Sequence, residues 1–187
     1  MTLNDYIVTT DCVLDPQARA EVNSIVATLP WFPTETHNKE GNYRTCMMFP
    51  VTLATRGVGT LSLTHRLAAQ RLDELFFAAV GAAGKFYKER FKWMKPLDDT
   101  GYEILRYEIG QFYKVHTDHF EKAPRSIAMS LALNDDYEGG EFAFFENGHL
   151  LRAAAGHAIM FPSNFMYPHE IKPVTRGTRL SMITWFV

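Results

Sequence analysis

Cysteine is nearly absent from this chain. Cys12 and Cys46 are the only two in 187 residues, which excludes a disulfide framework. A long apolar run is also missing. The longest, LFFAAVGAAG at 75 to 84, is too short and too rich in small residues to cross a bilayer. The start, MTLNDYIVTTD, has neither the basic opening nor the apolar block of a secretory signal. With a formal net charge of -2 there is no basic excess of the kind a nucleic-acid footprint requires. These absences point to a cytoplasmic protein with no membrane and no nucleic-acid partner. What remains is ordinary globular composition, 47% hydrophobic and 21% charged, at a length that suits one domain.

The texture changes near residue 100. Before it, LDPQARAEVNSIVATLP (14 to 30) has an Asp-Pro start, helix formers through its middle and a proline stop. THRLAAQRLDELFFAAVGAAGKFYKERF (64 to 91) carries apolar residues close to helical spacing and opens on a threonine suited to capping. DYIVTT and YRTCMMF read as β segments, and the turn-rich 31 to 44 stretch between the helices reads as a loop that covers the site. After KPLDDTG, strands are expected near 102–108, 113–118, 126–133, 141–146, 149–152, 157–161, 169–173 and 178–187. Their separators carry Gly, Asn, Asp or Pro. Eight short strands with flanking N-terminal helices predict a mainly β fold, a double-stranded β-helix or jelly roll. The expected organisation is a single domain, with 1–100 as helical support and lid region and 101–187 as the core.

The segment QFYKVHTDHF holds the first candidate chemistry. On an extended strand His116 and Asp118 share one face and Thr117 points the other way. One imidazole and one carboxylate supply two ligands, and His169, at the start of a later strand, is the best third. Two histidines and a carboxylate on one side of a metal suit non-haem Fe(II). The bland alternative for His169 is a structural histidine. In RLSMITWF, Arg179 and Ser181 share a face opposite Leu180 and Met182. A guanidinium buried in a barrel is costly unless it meets an anion, so Arg179 either holds a ligand carboxylate or pairs with Glu103 or Glu141. Tyr107 is either a further partner for that anion or a core tyrosine, and Arg176 belongs to a solvated turn. His119, His157 and His149 read as structural or surface residues, and His37 and His65 lie outside the sandwich. A cupin-like three- or four-histidine site built from these is the rival arrangement. Phe165, Tyr167, Arg125 and the loop after Asp118 are candidates for the entrance.

LRYEIGQFYKVHTD, LNDDYEGGEFAFF and FPSNFMYPHEIKPVTRGTRLSMITWF, in that order, resemble the prolyl 4-hydroxylase-like branch of the Fe(II)- and 2-oxoglutarate-dependent oxygenases. The resemblance covers residues 102 to 187. It implies Fe(II) held by His116, Asp118 and His169. It also implies 2-oxoglutarate as cosubstrate, its distal carboxylate on Arg179 with help from Ser181 and Tyr107. O2 is the implied oxidant, and ascorbate is an accessory the family can use. Arg179 follows His169 by ten residues, the family's spacing for its basic anchor. Collagen-type members carry lysine there, so arginine argues against a collagen-type assignment. The activity implied is hydroxylation of an unactivated C–H bond in a prolyl or other amino-acid residue of a peptide or protein. The alternatives are a free amino acid or small biosynthetic intermediate, and, in another class, a non-catalytic cupin-like metal- or ligand-binding module.

Overall fold

The computed structural model describes residues 1–34, 43–57, 60–95, 98–122 and 124–187. His37 and much of the 31 to 44 loop therefore lie outside the described residues. Three α-helices are present among them: α1 (Pro16–Val26), α2 (Val51–Thr55) and α3 (Leu63–Arg90). In chain order the strands are β1 (Val8–Thr9), β2 (Phe32–Pro33), β3 (Met47–Phe49), β4 (Glu103–Tyr107), β5 (Tyr113–His116), β6 (Ile127–Ala132) and β7 (Glu138–Gly139). They continue with β8 (Phe142–Phe144), β9 (His149–Leu151), β10 (Ala158–Pro162), β11 (His169–Ile171), β12 (Val174–Arg176) and β13 (Arg179–Phe186). All eight strands expected after residue 100 form. The short pair β7 and β12 was not anticipated.

Local chemistry explains the helix starts. Asp15 Oδ1 accepts from the amides of Gln17 and Ala18, each at 2.9 Å, and Pro16 occupies the first helical position, where no N–H is needed. α3 begins earlier than its sequence suggests. Ser62, not Thr64, is the cap, its Oγ accepting from the His65 amide at 3.2 Å. α2 carries no side-chain cap, which is why nothing in its sequence announces it.

Two sheets make the β-helix. The larger runs in the order β1-β10-β6-β13-β4-β3-β2 and the smaller β5-β11-β8-β9. Alternation gives the large sheet two different faces. Ile104, Met129, Leu131, Met160, Met182 and Phe186 point outward and pack on Val22, Val26, Leu72, Phe76 and Val80 of the helices. Leu105, Tyr107, Ala128, Ile159 and Phe161 point inward and meet Phe142, Phe144 and Ile171 of the small sheet. The N-terminal half thus supplies more than helices, because β1, β2 and β3 extend the large sheet. No helix among the described residues is long and apolar enough to cross a membrane.

Candidate metal and 2-oxoglutarate site

Strand pairing builds the centre. In the antiparallel pair β11 and β5, His169 lies directly opposite His116, so their side chains project to one face. β5 ends at His116, and the chain bends before Asp118 returns between the two rings. The expectation of one continuous strand through Asp118 is therefore corrected. Thr117 borders the cavity too, because the strict alternation stops with the strand. Asp118 Oδ1 lies 3.6 Å from His116 Nε2, and its Oδ2 lies 3.7 Å from His169 Nε2. One ligand atom from each of the three residues lies within 4.8 Å of the others.

Both rings are oriented by their own backbones. His116 Nδ1–H donates to the Lys114 carbonyl at 2.8 Å, and His169 Nδ1–H donates to the Tyr167 carbonyl at 3.1 Å. That fixes the tautomer and leaves each Nε2 lone pair aimed at the common point, as a metal ligand needs. Burial, reinforced by the neighbouring His169, pulls the His116 pKa down to about 3 against the opposing pull of Asp118. The imidazole is thus held in its neutral, ligating form. Tyr113 stacks on His116, with ring centroids 3.5 Å apart, while Phe142, Phe144 and Phe161 surround His169.

The three residues open into a cavity of about 1050 Å³, also lined by Arg179, Ser181 and Tyr107. β13 and β4 pair with Arg179 opposite Tyr107 and Ser181 opposite Leu105. Arg179 is 5% exposed, yet among the described residues it forms no ion pair. Neither Glu103 nor Glu141 neutralises it. Its Nη1 donates to Ser181 Oγ at 3.0 Å, its Nε has no partner, and its guanidinium faces the rings of Tyr107 and Phe142 at 5.2 and 5.5 Å. The Tyr107 hydroxyl is buried with no partner in good hydrogen-bonding geometry, and burial, reinforced by the nearby Cys46 thiol, drives its pKa far upward. A buried cation and a buried phenol, both missing partners, fit a carboxylate.

Gly140 makes room for that cation. Its φ is +66°, and a Cβ there would stand 2.9 Å from Arg179 Cδ. Gly140→Ala is therefore expected to cost about 1–3 kcal/mol through backbone strain and to weaken 2-oxoglutarate binding. Thermal unfolding and a 2-oxoglutarate titration check both, and a folded variant with wild-type affinity would refute the fit.

Other residues settle differently. His157 Nδ1–H donates to the Thr10 carbonyl and is structural, and His119 Nδ1 engages the Arg125 backbone. Arg176 ends β12 and pairs with Glu138 at the surface. Phe165 is 83% exposed and Tyr167 is buried among core side chains, so neither lines the cavity as expected of them. The sequence reading missed Arg44, whose Nε donates to Cys46 Sγ and whose guanidinium lies 4.8 Å from the Tyr113 ring centroid. It also missed Trp185, which carries the Arg125 guanidinium 3.5 Å above its ring. The inward parity of Trp185 with Arg179 along RLSMITW was the available signal.

Glu103 lines the cavity, and burial raises its pKa against the pull of Arg44 and Arg125. Its folded pKa exceeds the unfolded value, so the folded state favours the protonated carboxyl and is penalised once pH rises through the folded pKa. Glu103→Gln should therefore leave the unfolding midpoint equal or higher at pH 7.5. That margin should shrink as pH falls below about 4, where the carboxyl is protonated in both states. A large loss of stability at pH 7.5 would contradict this.

Residues 102–187 match the sequence model of the 2OG-Fe(II) oxygenase superfamily. Over that segment, a little under half of the chain, the sequence is similar to the superfamily. A PKHD-type hydroxylase of Psychrobacter sp. (strain PRwf-1) is 35% identical over 91 residues, covering 42% of this chain and 34% of the relative. A PKHD-type hydroxylase of Methylobacterium nodulans is 28% identical over 151 residues, covering 71% of this chain and 64% of the relative. The chain thus spans between about a third and two thirds of the length of these relatives. In fold it is similar to a Trichoplax adhaerens prolyl hydroxylase solved with a peptide fragment of the hypoxia inducible factor oxygen degradation domain. The TM-score is 0.71 at 18% identity, over 98% of this chain and 84% of that one. The resemblance to prolyl hydroxylase-like oxygenases read from the sequence is borne out, as is the double-stranded β-helix.

Proposed function

We propose that this chain is an Fe(II)- and 2-oxoglutarate-dependent dioxygenase that hydroxylates an unactivated C–H bond of a prolyl or other amino-acid unit, first of all in a peptide or protein. One observation carries the reading. Three ligand atoms converge in a cavity that also holds Arg179, a buried cation without an acid partner among the described residues. Fe(II) with 2-oxoglutarate and O2 supplies oxidative decarboxylation to succinate and CO2, one oxygen atom passing to the substrate carbon.

The protein's part is geometry. His116, Asp118 and His169 would hold the metal from one side and leave the other open to the cavity. Arg179, Ser181 and Tyr107 would grip the distal carboxylate of 2-oxoglutarate, setting the direction in which its other end lies. Phe142, Phe144 and Phe161 keep water from the His169 side. A non-catalytic binding module would have no use for a buried cation beside the ligand cluster. Residues 1–187 are taken as one oxygenase domain, with 101–187 its metal-bearing core. A cytoplasmic setting, where thiols such as Cys12 and Cys46 stay free and ferrous iron persists, suits it, and ascorbate is the expected accessory reductant.

The test is succinate production from 2-oxoglutarate with added Fe(II), run with and without proline-containing peptides and amino acids. Substrates are scored by mass spectrometry for one added oxygen. A free amino acid is the second reading, favoured by charges on the substrate side of the cavity. No metal-dependent succinate under any condition would reject the dioxygenase assignment.

A further inference from the structure

The cavity carries charges that metal and 2-oxoglutarate leave unused. β4 turns Tyr107, Leu105 and Glu103 inward, and β13 sets Arg179, Ser181 and Ile183 opposite them. The Tyr107–Arg179 end is the one assigned to the distal carboxylate. At the other end of the same strands lie Glu103 and, two residues beyond Ile183, Trp185.

Glu103 makes no hydrogen bond or ion pair with any described residue, and Arg44 and Arg125 act on it only through space. Arg125 rests on Trp185 and spends one donor, Nη1, on the Asp118 carbonyl at 3.2 Å. Its other guanidinium donors have no partner among the described residues, and the residue lines the cavity. Acid and base thus border one chamber beside the ligand triad without neutralising each other. Left as they are, both lose solvation for nothing when the chamber fills.

We propose that Glu103 determines specificity by receiving a protonated α-amine of the substrate, while Arg125 takes the adjacent carboxylate or carbonyl oxygen. The inference rests on the dioxygenase reading above and narrows its substrate. The substrate is an amino acid whose amine is free, either as the single molecule or as the first residue of a peptide. A chain-internal prolyl nitrogen carries neither hydrogen nor charge. Placed against Glu103, it would cover the carboxylate and offer it nothing.

The test measures binding without turnover, by calorimetry on the full chain loaded with Mn(II) and 2-oxoglutarate. The probes are L-proline, L-leucine and L-lysine, their Nα-acetyl forms, and tripeptides with proline first or in the middle. Wild-type protein should bind the amine-bearing forms about tenfold or more tighter than their acetylated counterparts, and the proline-first peptide tighter than the proline-middle one. In Glu103→Gln that preference should fall to within about threefold. Comparing L-proline with the proline-first peptide separates the two sources of the amine. Equal binding of acetylated probes, binding of none, or a preference that survives in Glu103→Gln overturns the proposal. Failure of wild-type protein to bind 2-oxoglutarate in a metal-dependent way overturns instead the dioxygenase reading beneath it, so the two failures are distinguishable.

Discussion

Asp118→Ala should abolish metal-dependent succinate formation. Asp118 is the only anionic ligand of the cluster, and each of its oxygens faces one imidazole, at 3.6 and 3.7 Å. Without it two neutral nitrogens remain, and a hard divalent ion loses both a donor and the charge that offsets its own. Affinity for Fe(II) or Mn(II) should fall by about 100-fold or more, on the scale of losing one partner of a buried charge pair. The fold should survive. The bond from Arg125 Nη1 runs to the Asp118 backbone carbonyl, which alanine keeps, and the two histidines are held through their Nδ1 atoms by other carbonyls. Metal titration by calorimetry, far-UV circular dichroism and a succinate assay read these outcomes separately. Undiminished turnover would eliminate the triad.

Replacing Arg179 should separate function from stability. Its guanidinium is buried, bonded to Ser181 and unpaired by any acid among the described residues. In Arg179→Met the affinity for 2-oxoglutarate should fall by about 100- to 1000-fold, the expected loss when one partner of a buried charge pair is removed. Metal binding should persist, because the ligand atoms are untouched. The metal-free variant should be as stable as wild type or more so, since a buried unpaired charge is itself unfavourable and methionine fills similar space. Calorimetry with Mn(II) and then 2-oxoglutarate, beside thermal unfolding, gives both answers. Unchanged 2-oxoglutarate affinity would show that the anchor lies elsewhere in the cavity.

Much of this site is local in origin. The alternation in RLSMITW puts Arg179 and Ser181 on one face before any fold is known, while Tyr107, on EILRY, is placed beside them by the pairing of β4 with β13. Its weakness shows at Thr117, where the parity rule assumes a strand that stops at His116. Elements without a local signature were missed for related reasons. α2 has no cap, and β7 and β12, of two and three residues, exist only because they pair with each other.

The sequence alone indicated eight of the ten C-terminal strands and their helical cover, because periodicity and turn residues act over a few positions. The expectation of His116, Asp118 and His169 as a ligand set rested on the family resemblance. Only the tertiary structure decided that His169 stands opposite His116, that β3 lies beside β4 and brings Arg44 and Met48 to the cavity, and that Glu103 faces the chamber rather than Arg179. Those are pairings between segments up to about 60 residues apart. A period of two says which way a side chain points, but only the packing of whole sheets says what it meets.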